Sequence, residues 1–113
     1  MPSLFNPLTL GAIELPNRIF MAPLTRARAG REAIPNDLMA RYYAQRAGAG
    51  LIISEATGIS REGLGWPNAP GLWNEAQVEG WKKDRATAVP MDRCRPGAIR
   101  RVRASSDQPG SLV

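Results

Sequence analysis

The chain has 113 residues, of which 43% are hydrophobic and 22% are charged, and its formal net charge is +5. This length allows one domain at most, and no apolar run approaches the roughly 18 residues that would span a bilayer. The sequence holds no histidine and only one cysteine, Cys94, which excludes Ser–His and Cys–His dyads, histidine metal sites and an internal disulfide.

The first predicted elements are a β-hairpin over residues 7–16 and a strand over residues 18–22. Leucine and isoleucine alternate with other residues on both sides of Gly11, which is typical of a hairpin. The strand ends at Pro23 and a polar loop follows it. Ligands of parallel α/β barrels bind at the carboxyl ends of the strands, so the residues from Pro23 to Thr25 are candidates for ligand contact.

A helix is predicted next, from Asn36 or Asp37 as the capping residue to Arg46, with glycines at 48 and 50 ending it. Residues 51–56 have an apolar start without alternation, which predicts a strand that is buried on both faces. A strand, a helix and a second strand in this order predict parallel pairing with a right-handed crossover.

Residues 58–73 form a long loop rich in glycine and proline, and loops of this length are usually functional. A second helix is predicted from Asn74 as the cap, with Gln77 placed for a capping box, to Lys83. From Asp84 onwards no helical or strand period is sustained, so the sequence predicts two segments, residues 1–83 and a basic tail, residues 84–113.

The tail is expected to be unstructured. Its six arginines and three aspartates raise the alternative of contact with nucleic acid or a membrane surface. It has no aromatic residue on which a base could stack, so we expect no nucleic-acid partner and no membrane partner. The N-terminus shows no basic region before an apolar core, so we expect no signal peptide and a cytoplasmic protein.

Four segments in order resemble the N-terminal part of the old yellow enzyme family, the FMN-dependent NADH:flavin oxidoreductases, and particularly its bacterial ene-reductase branch, which includes N-ethylmaleimide reductase. They are residues 4–8, 17–26, 42–57 and 65–73. The resemblance covers about three quarters of the chain, and the tail does not match. It implies an α/β fold, namely the N-terminal portion of a TIM (β/α)8 barrel with a hairpin and about two βα units, truncated.

The resemblance implies that FMN binds non-covalently at the top of the strands, receives a hydride from NAD(P)H and passes it to an activated alkene. By position, the residues that would line the flavin ring after the first strand are Ala22, Pro23, Leu24 and Thr25. The Thr25 hydroxyl would donate to the O4/N5 edge of the flavin and tune its electronics. Ala56 matches a second flavin contact, where a small side chain permits close approach. The alternatives are that Thr25 caps a loop and that Ala56 only fits a tight strand end.

Trp66 stands where close relatives carry a tyrosine over the substrate, and its indole offers only a donor N–H. Packing on the surface is the alternative for Trp66, and packing is expected for Trp73 and Trp81. Arg26 and Arg28 are expected in solvated salt bridges, and the alternative is contact with the cofactor or the neighbouring loop. The resemblance implies a substrate-anchoring His/His or His/Asn pair and a tyrosine proton donor, and all of these would lie beyond residue 83.

Three functions remain open at this point. The first is a flavin oxidoreductase by descent, inactive as this fragment. The second is a non-catalytic truncated product or a small interaction protein, and the third is a basic nucleic-acid-binding protein. The arginine-rich, lysine-free tail is interpreted as translation in the wrong frame. The nucleotide sequence near codon 84 tests this interpretation.

Overall fold

A computed structural model describes residues 1–88, and it begins with the predicted hairpin. Strand β1 (Leu8–Leu10) pairs antiparallel with β2 (Ile13–Leu15). Gly11 lies in the connecting turn with φ of 60°, a backbone conformation that glycine adopts without steric cost. The hairpin prediction is confirmed.

Strands β3 (Phe20–Met21) and β4 (Leu51–Ile52) pair in parallel, as the strand–helix–strand order predicts. Both strands are shorter than predicted. The ladder ends after the bond from Ile53 N–H to the Met21 carbonyl, 3.2 Å, because the next backbone groups of the second segment bond elsewhere. The Glu55 N–H, for example, donates to the Tyr43 hydroxyl.

The prediction that the second strand is buried on both faces is wrong for the described chain. Met21 and Ile52 pack against the core, whereas Phe20 and Ile53 are 42% and 45% exposed. Successive side chains of a strand point to opposite faces. The helices therefore cover one face of this two-stranded sheet, and the other face is open.

Helix α1 (Asp37–Ala44) begins at the cap Asn36, whose side-chain oxygen accepts the Leu38 and Met39 N–H groups. The Asn36 side chain also donates to the Arg28 carbonyl, at 2.6 Å, and so ties the helix start to the preceding loop. The helix ends two residues earlier than predicted. Arg46 N–H bonds to the carbonyl three residues before it, so the last turn tightens.

Helix α2 (Glu75–Ala88) begins with the predicted capping box. Gln77 N–H donates to the Asn74 side chain at 3.0 Å, and the Gln77 side-chain oxygen accepts from the N–H groups of Trp73 and Asn74. The helix continues five residues past Lys83, the predicted end, and Asp84 in this extension is buried. The division at 83 and 84 stays a prediction, and the rest of the predicted tail lies outside the described residues.

The core lies between the two helices and the inner face of the parallel pair. Met39 and Tyr43 of α1 are buried in it together with Ala29, and Trp81 of α2 packs against them. The Trp81 indole N–H donates to the Gly71 carbonyl at 3.1 Å, which confirms a packing role for this residue. A side chain at Gly80 would meet the Pro35 carbonyl, so glycine there lets the second helix approach closely.

Candidate functional site

The ends of the two parallel strands lie at the same edge of the sheet and form the candidate site. Residues 22–25 follow β3 directly, and all four are exposed. Ala56, near the end of the segment after β4, is exposed as well. The Arg26 N–H donates to the Glu55 carboxylate at 3.0 Å. Since Thr25 precedes Arg26 and Ala56 follows Glu55, this bond brings the predicted flavin contacts of both strands together; we call them the strand-end surface.

Glu55 organises this edge, although the sequence analysis gave it no role. Its side chain is 3% exposed, and each carboxylate oxygen accepts one hydrogen bond. Oε2 accepts from the Arg26 N–H, and Oε1 accepts from the Tyr43 hydroxyl at 3.1 Å. A carboxylate within a predicted buried strand needs such partners, because burial of an unpaired charge is costly. A glutamate within a predicted buried strand was therefore the sequence feature that could have indicated a structural role for Glu55.

Tyr43 connects the strand end to α1. Its hydroxyl donates to the Glu55 carboxylate and accepts the Glu55 N–H, both at 3.1 Å. Burial raises the pKa of the Tyr43 phenol well above its usual range, and the Glu55 charge adds to this rise. The phenol therefore stays protonated and keeps donating to the carboxylate at ordinary pH.

The strand-end surface is mostly apolar and, among the described residues, carries one free hydroxyl group. Pro23 and Leu24 present apolar atoms, with Leu24 56% exposed, and residues 22–25 include no charged side chain. Within residues 1–88 the Thr25 hydroxyl makes no hydrogen bond, so it does not cap the loop there and is open to donate. An apolar surface bordered by a single hydroxyl donor fits a flat ring with one polar edge.

Trp66 is not brought to this surface by any described contact. It is 64% exposed on the loop between β4 and α2. That loop is tied to the earlier one by bonds from Ala29 N–H to the Asn68 carbonyl, 2.9 Å, and from Gly71 N–H to the Ala33 carbonyl, 2.8 Å. Among the described residues, no hydrogen bond or ring contact joins the Trp66 side chain to the strand ends.

Three other expectations can be compared with the structure. The salt bridges expected for Arg26 and Arg28 do not occur within residues 1–88, where Arg61, Lys82 and Lys83 form the ion pairs. In the same part of the chain, no cluster of three residues has side chains that could hold a metal ion. No helix in this range has the length and apolar character that a membrane crossing requires.

Comparison with known proteins gives a consistent result. The model of the NADH:flavin oxidoreductase / NADH oxidase family matches residues 3–89. Flavin oxidoreductase hxnT from Emericella nidulans is 49% identical over 85 residues, which are 71% of this chain and 22% of that protein.

The solved structures agree with this. The old yellow enzyme homologue from Zymomonas mobilis (NCR) superposes with a TM-score of 0.74 at 63% identity, over 77% of this chain and 24% of that one. Morphinone reductase superposes with a TM-score of 0.74 at 52% identity, over 77% of this chain and 23% of that one. These neighbours are TIM-barrel enzymes, and the chain spans about a quarter of their length.

Proposed function

Because the chain belongs to the NADH:flavin oxidoreductase / NADH oxidase family, we propose that its strand-end surface contributes to a site for FMN and serves ene reduction. When bound, FMN would take a hydride from NAD(P)H and pass it to the β-carbon of an activated alkene such as an enone, a maleimide or a nitroalkene. The observation that carries this proposal is the bond between Arg26 and Glu55, which holds two exposed strand ends at one edge.

The residues of this chain would bind and tune the ring. Pro23 and Leu24 would cover part of one face of the flavin with apolar atoms. The Thr25 hydroxyl would donate to the O4/N5 edge, where negative charge grows on reduction. Ala56 would let the backbone approach the ring, and Glu55 would act as a positioning residue through its bond to the Arg26 N–H.

Trp66 is proposed as a substrate contact. In the resemblance it replaces a tyrosine, and an indole can wall a pocket but cannot accept a hydrogen bond. We therefore expect substrate preference to differ from that of the relatives with tyrosine, while flavin binding is unchanged.

We further propose that the 113-residue chain alone does not turn over. It contains no histidine, so it cannot supply the substrate-anchoring histidine pair that the resemblance implies. The absence of histidine also supports the second candidate, a non-catalytic product or small interaction protein. Purifying the chain with added FMN and NADPH distinguishes the two. A yellow chain that oxidises NADPH would contradict the proposed inactivity, and a chain without flavin would favour the second candidate.

A chimera tests the flavin site directly. Residues 1–83 would replace the matching quarter of NCR from Zymomonas mobilis, and bound flavin would be measured by its visible spectrum. We expect a yellow protein that reduces an enone with NADPH. A folded but colourless chimera, beside yellow NCR, would refute the assignment of the strand-end surface.

The Thr25→Ala variant of this chimera is expected to keep its flavin and to show a lower flavin reduction potential. The reason is the loss of one hydrogen bond to a developing charge, worth about 1.5–3 kcal/mol. Thr25→Ser should restore most of the potential. Thr9→Ala, an equivalent change in the hairpin, is the matched control and should leave the potential unchanged. An equal shift in both alanine variants would contradict the role of Thr25.

A further inference from the structure

A cavity of about 230 Å³ lies between the loop after β3 and helix α1, next to the strand-end surface, and Arg26 and Glu55 are part of its lining. Its lining includes three arginines, Arg26 and Arg28 from the loop and Arg41 from the helix, and we call it the arginine cavity. Neither residues 22–25 nor Ala56 line it. The volume is below the range of about 300–1,000 Å³ that drug-sized ligands occupy, so the cavity suits a small ligand.

The arginine cavity carries an excess of positive charge. No salt bridge within residues 1–88 involves any of its three guanidinium groups. The one acid in its wall, Glu55, already accepts hydrogen bonds on both oxygens from other groups. Asp37, one turn before Arg41, forms its ion pair with Lys83. The wall of the cavity therefore has three cations and one carboxylate, a net charge of about +2, and Asp37, which also attracts Arg41, lies outside this wall.

Contacts within the wall hold two of these arginines in place. The Arg26 guanidinium lies 5.5 Å from the centre of the Tyr42 ring, a cation–π distance. The Arg28 guanidinium donates to the Arg26 carbonyl at 3.0 Å. Between them Ala27 adopts φ of 54°, a left-handed conformation that is uncommon for alanine. The loop is therefore ordered so that both side chains line the same cavity.

We propose that the arginine cavity binds the phosphoryl group of a small molecule. A phosphate monoester carries a charge of about −1.5 to −2 at neutral pH, which matches the net positive charge of the cavity wall. The planar fork of arginine matches phosphate oxygens in geometry, and bidentate contacts of this kind are strong. The proposal is independent of flavin binding at the strand-end surface.

The test is a titration of the full 113-residue chain with inorganic phosphate, with ionic strength kept constant by sodium chloride and binding measured by calorimetry. We expect saturable binding of one phosphate per chain. Arg28→Gln and Arg41→Gln should each weaken the affinity about tenfold, which corresponds to the loss of one charge-assisted hydrogen bond. Circular dichroism would establish that each variant is folded.

Arg61→Gln is the matched control. Arg61 is an exposed arginine that pairs with Glu32 and does not line the cavity, so its loss should change the phosphate affinity less than twofold. Arg41→Lys keeps the charge but removes the fork, and an intermediate affinity is expected. The proposal is overturned if binding does not saturate, or if Arg61→Gln weakens it as much as the cavity variants do. A repeat with riboflavin added should give the same phosphate affinity.

Discussion

At the scale of single residues, Glu55 connects three parts of the structure. It accepts the Arg26 N–H from the loop after β3 and the Tyr43 hydroxyl from α1, and it lies at the end of the segment after β4. Glu55 is 3% exposed; its bond with Tyr43 is buried and its bond with the Arg26 N–H is partly buried. Removing one partner would leave a buried charge with half of its hydrogen bonds, which is costly.

Tyr43→Phe is therefore expected to lower the free energy of unfolding by about 1–3 kcal/mol. The measurement is urea unfolding followed by tryptophan fluorescence. Tyr42→Phe is the matched control, since the Tyr42 hydroxyl makes no hydrogen bond within residues 1–88, and it should change stability by less than about 0.5 kcal/mol. Equal effects of the two changes would show that the Tyr43–Glu55 bonds contribute nothing.

At the scale of elements, helix α2 has a well-capped first turn, whereas a later turn buries a carboxyl group without hydrogen-bond partners among the described residues. Gln77 is fully buried, completes the capping box and donates to the Glu32 carbonyl at 3.1 Å, so it fixes the helix start to the earlier loop. Asp84, two turns later, is 2% exposed, and neither of its oxygens has a hydrogen-bond partner within residues 1–88. The core thus contains a carboxyl group that has no hydrogen-bond partner in this part of the chain.

Burial raises the pKa of the Asp84 carboxyl to about 7, and the negative charges of Glu55 and Asp37 add to this rise, while Lys83 opposes it. The folded state therefore binds this proton more tightly than the unfolded state, whose carboxyl has its ordinary pKa near 3.8. We expect the free energy of unfolding to fall as the pH rises from about 4 to 7. Asp84→Asn should remove most of this dependence, and Asp84→Leu should stabilise the chain at pH 8.

The control for this prediction is Asp37, whose carboxyl pKa is shifted in the opposite direction to that of Asp84. Asp37 is exposed, and its hydrogen bond with Lys83 lowers the pKa of its carboxyl. The Asp37 carboxylate contributes to the free energy of unfolding above its unfolded pKa, and this contribution is lost as the pH falls. Asp37→Asn should therefore leave the decline in the free energy of unfolding between pH 4 and 7 in place. The same pH profile for wild type and Asp84→Asn would contradict the assignment to Asp84.

At the scale of the whole molecule, the parallel pair has one covered face and one open face within the described chain. Phe20 and Ile53 lie on the open face, and both strand edges lack a further strand among residues 1–88. In a closed barrel each strand has two neighbours, whereas here each has one. Open edges and exposed apolar side chains are templates for association.

We accordingly expect the purified chain to associate as its concentration rises. Ile53→Lys or Phe20→Lys should shift it towards the monomer, because a charge on the open face opposes burial there. Sedimentation velocity measures this shift. Leu10→Lys, an exposed leucine of the hairpin, is the control and should have little effect. Association that is equally sensitive to the Leu10 change would exclude the open face as its cause.

The sequence by itself determined the elements whose signals are local. The hairpin turn at Gly11 and the capping box of Asn74 and Gln77 depend on groups only a few residues apart, so their patterns could be read directly. The start of the first helix was predicted in the same way, and the structure chose Asn36 over Asp37 as its cap. The parallel pairing followed from the order of the elements. The family could be recognised because its segments keep their order along the chain.

Only the tertiary structure decided the partners of Glu55, the length of the strands and the burial of Asp84. The bonds of Glu55 join residues 12 and 29 positions apart, and no local pattern specifies which distant group will approach a carboxylate. The ladder is short because Pro23 has no N–H to donate and because the Glu55 N–H donates to the distant Tyr43 hydroxyl. Asp84 is buried because the helix that starts at a strong cap continues across the core, and its local polarity could not indicate that.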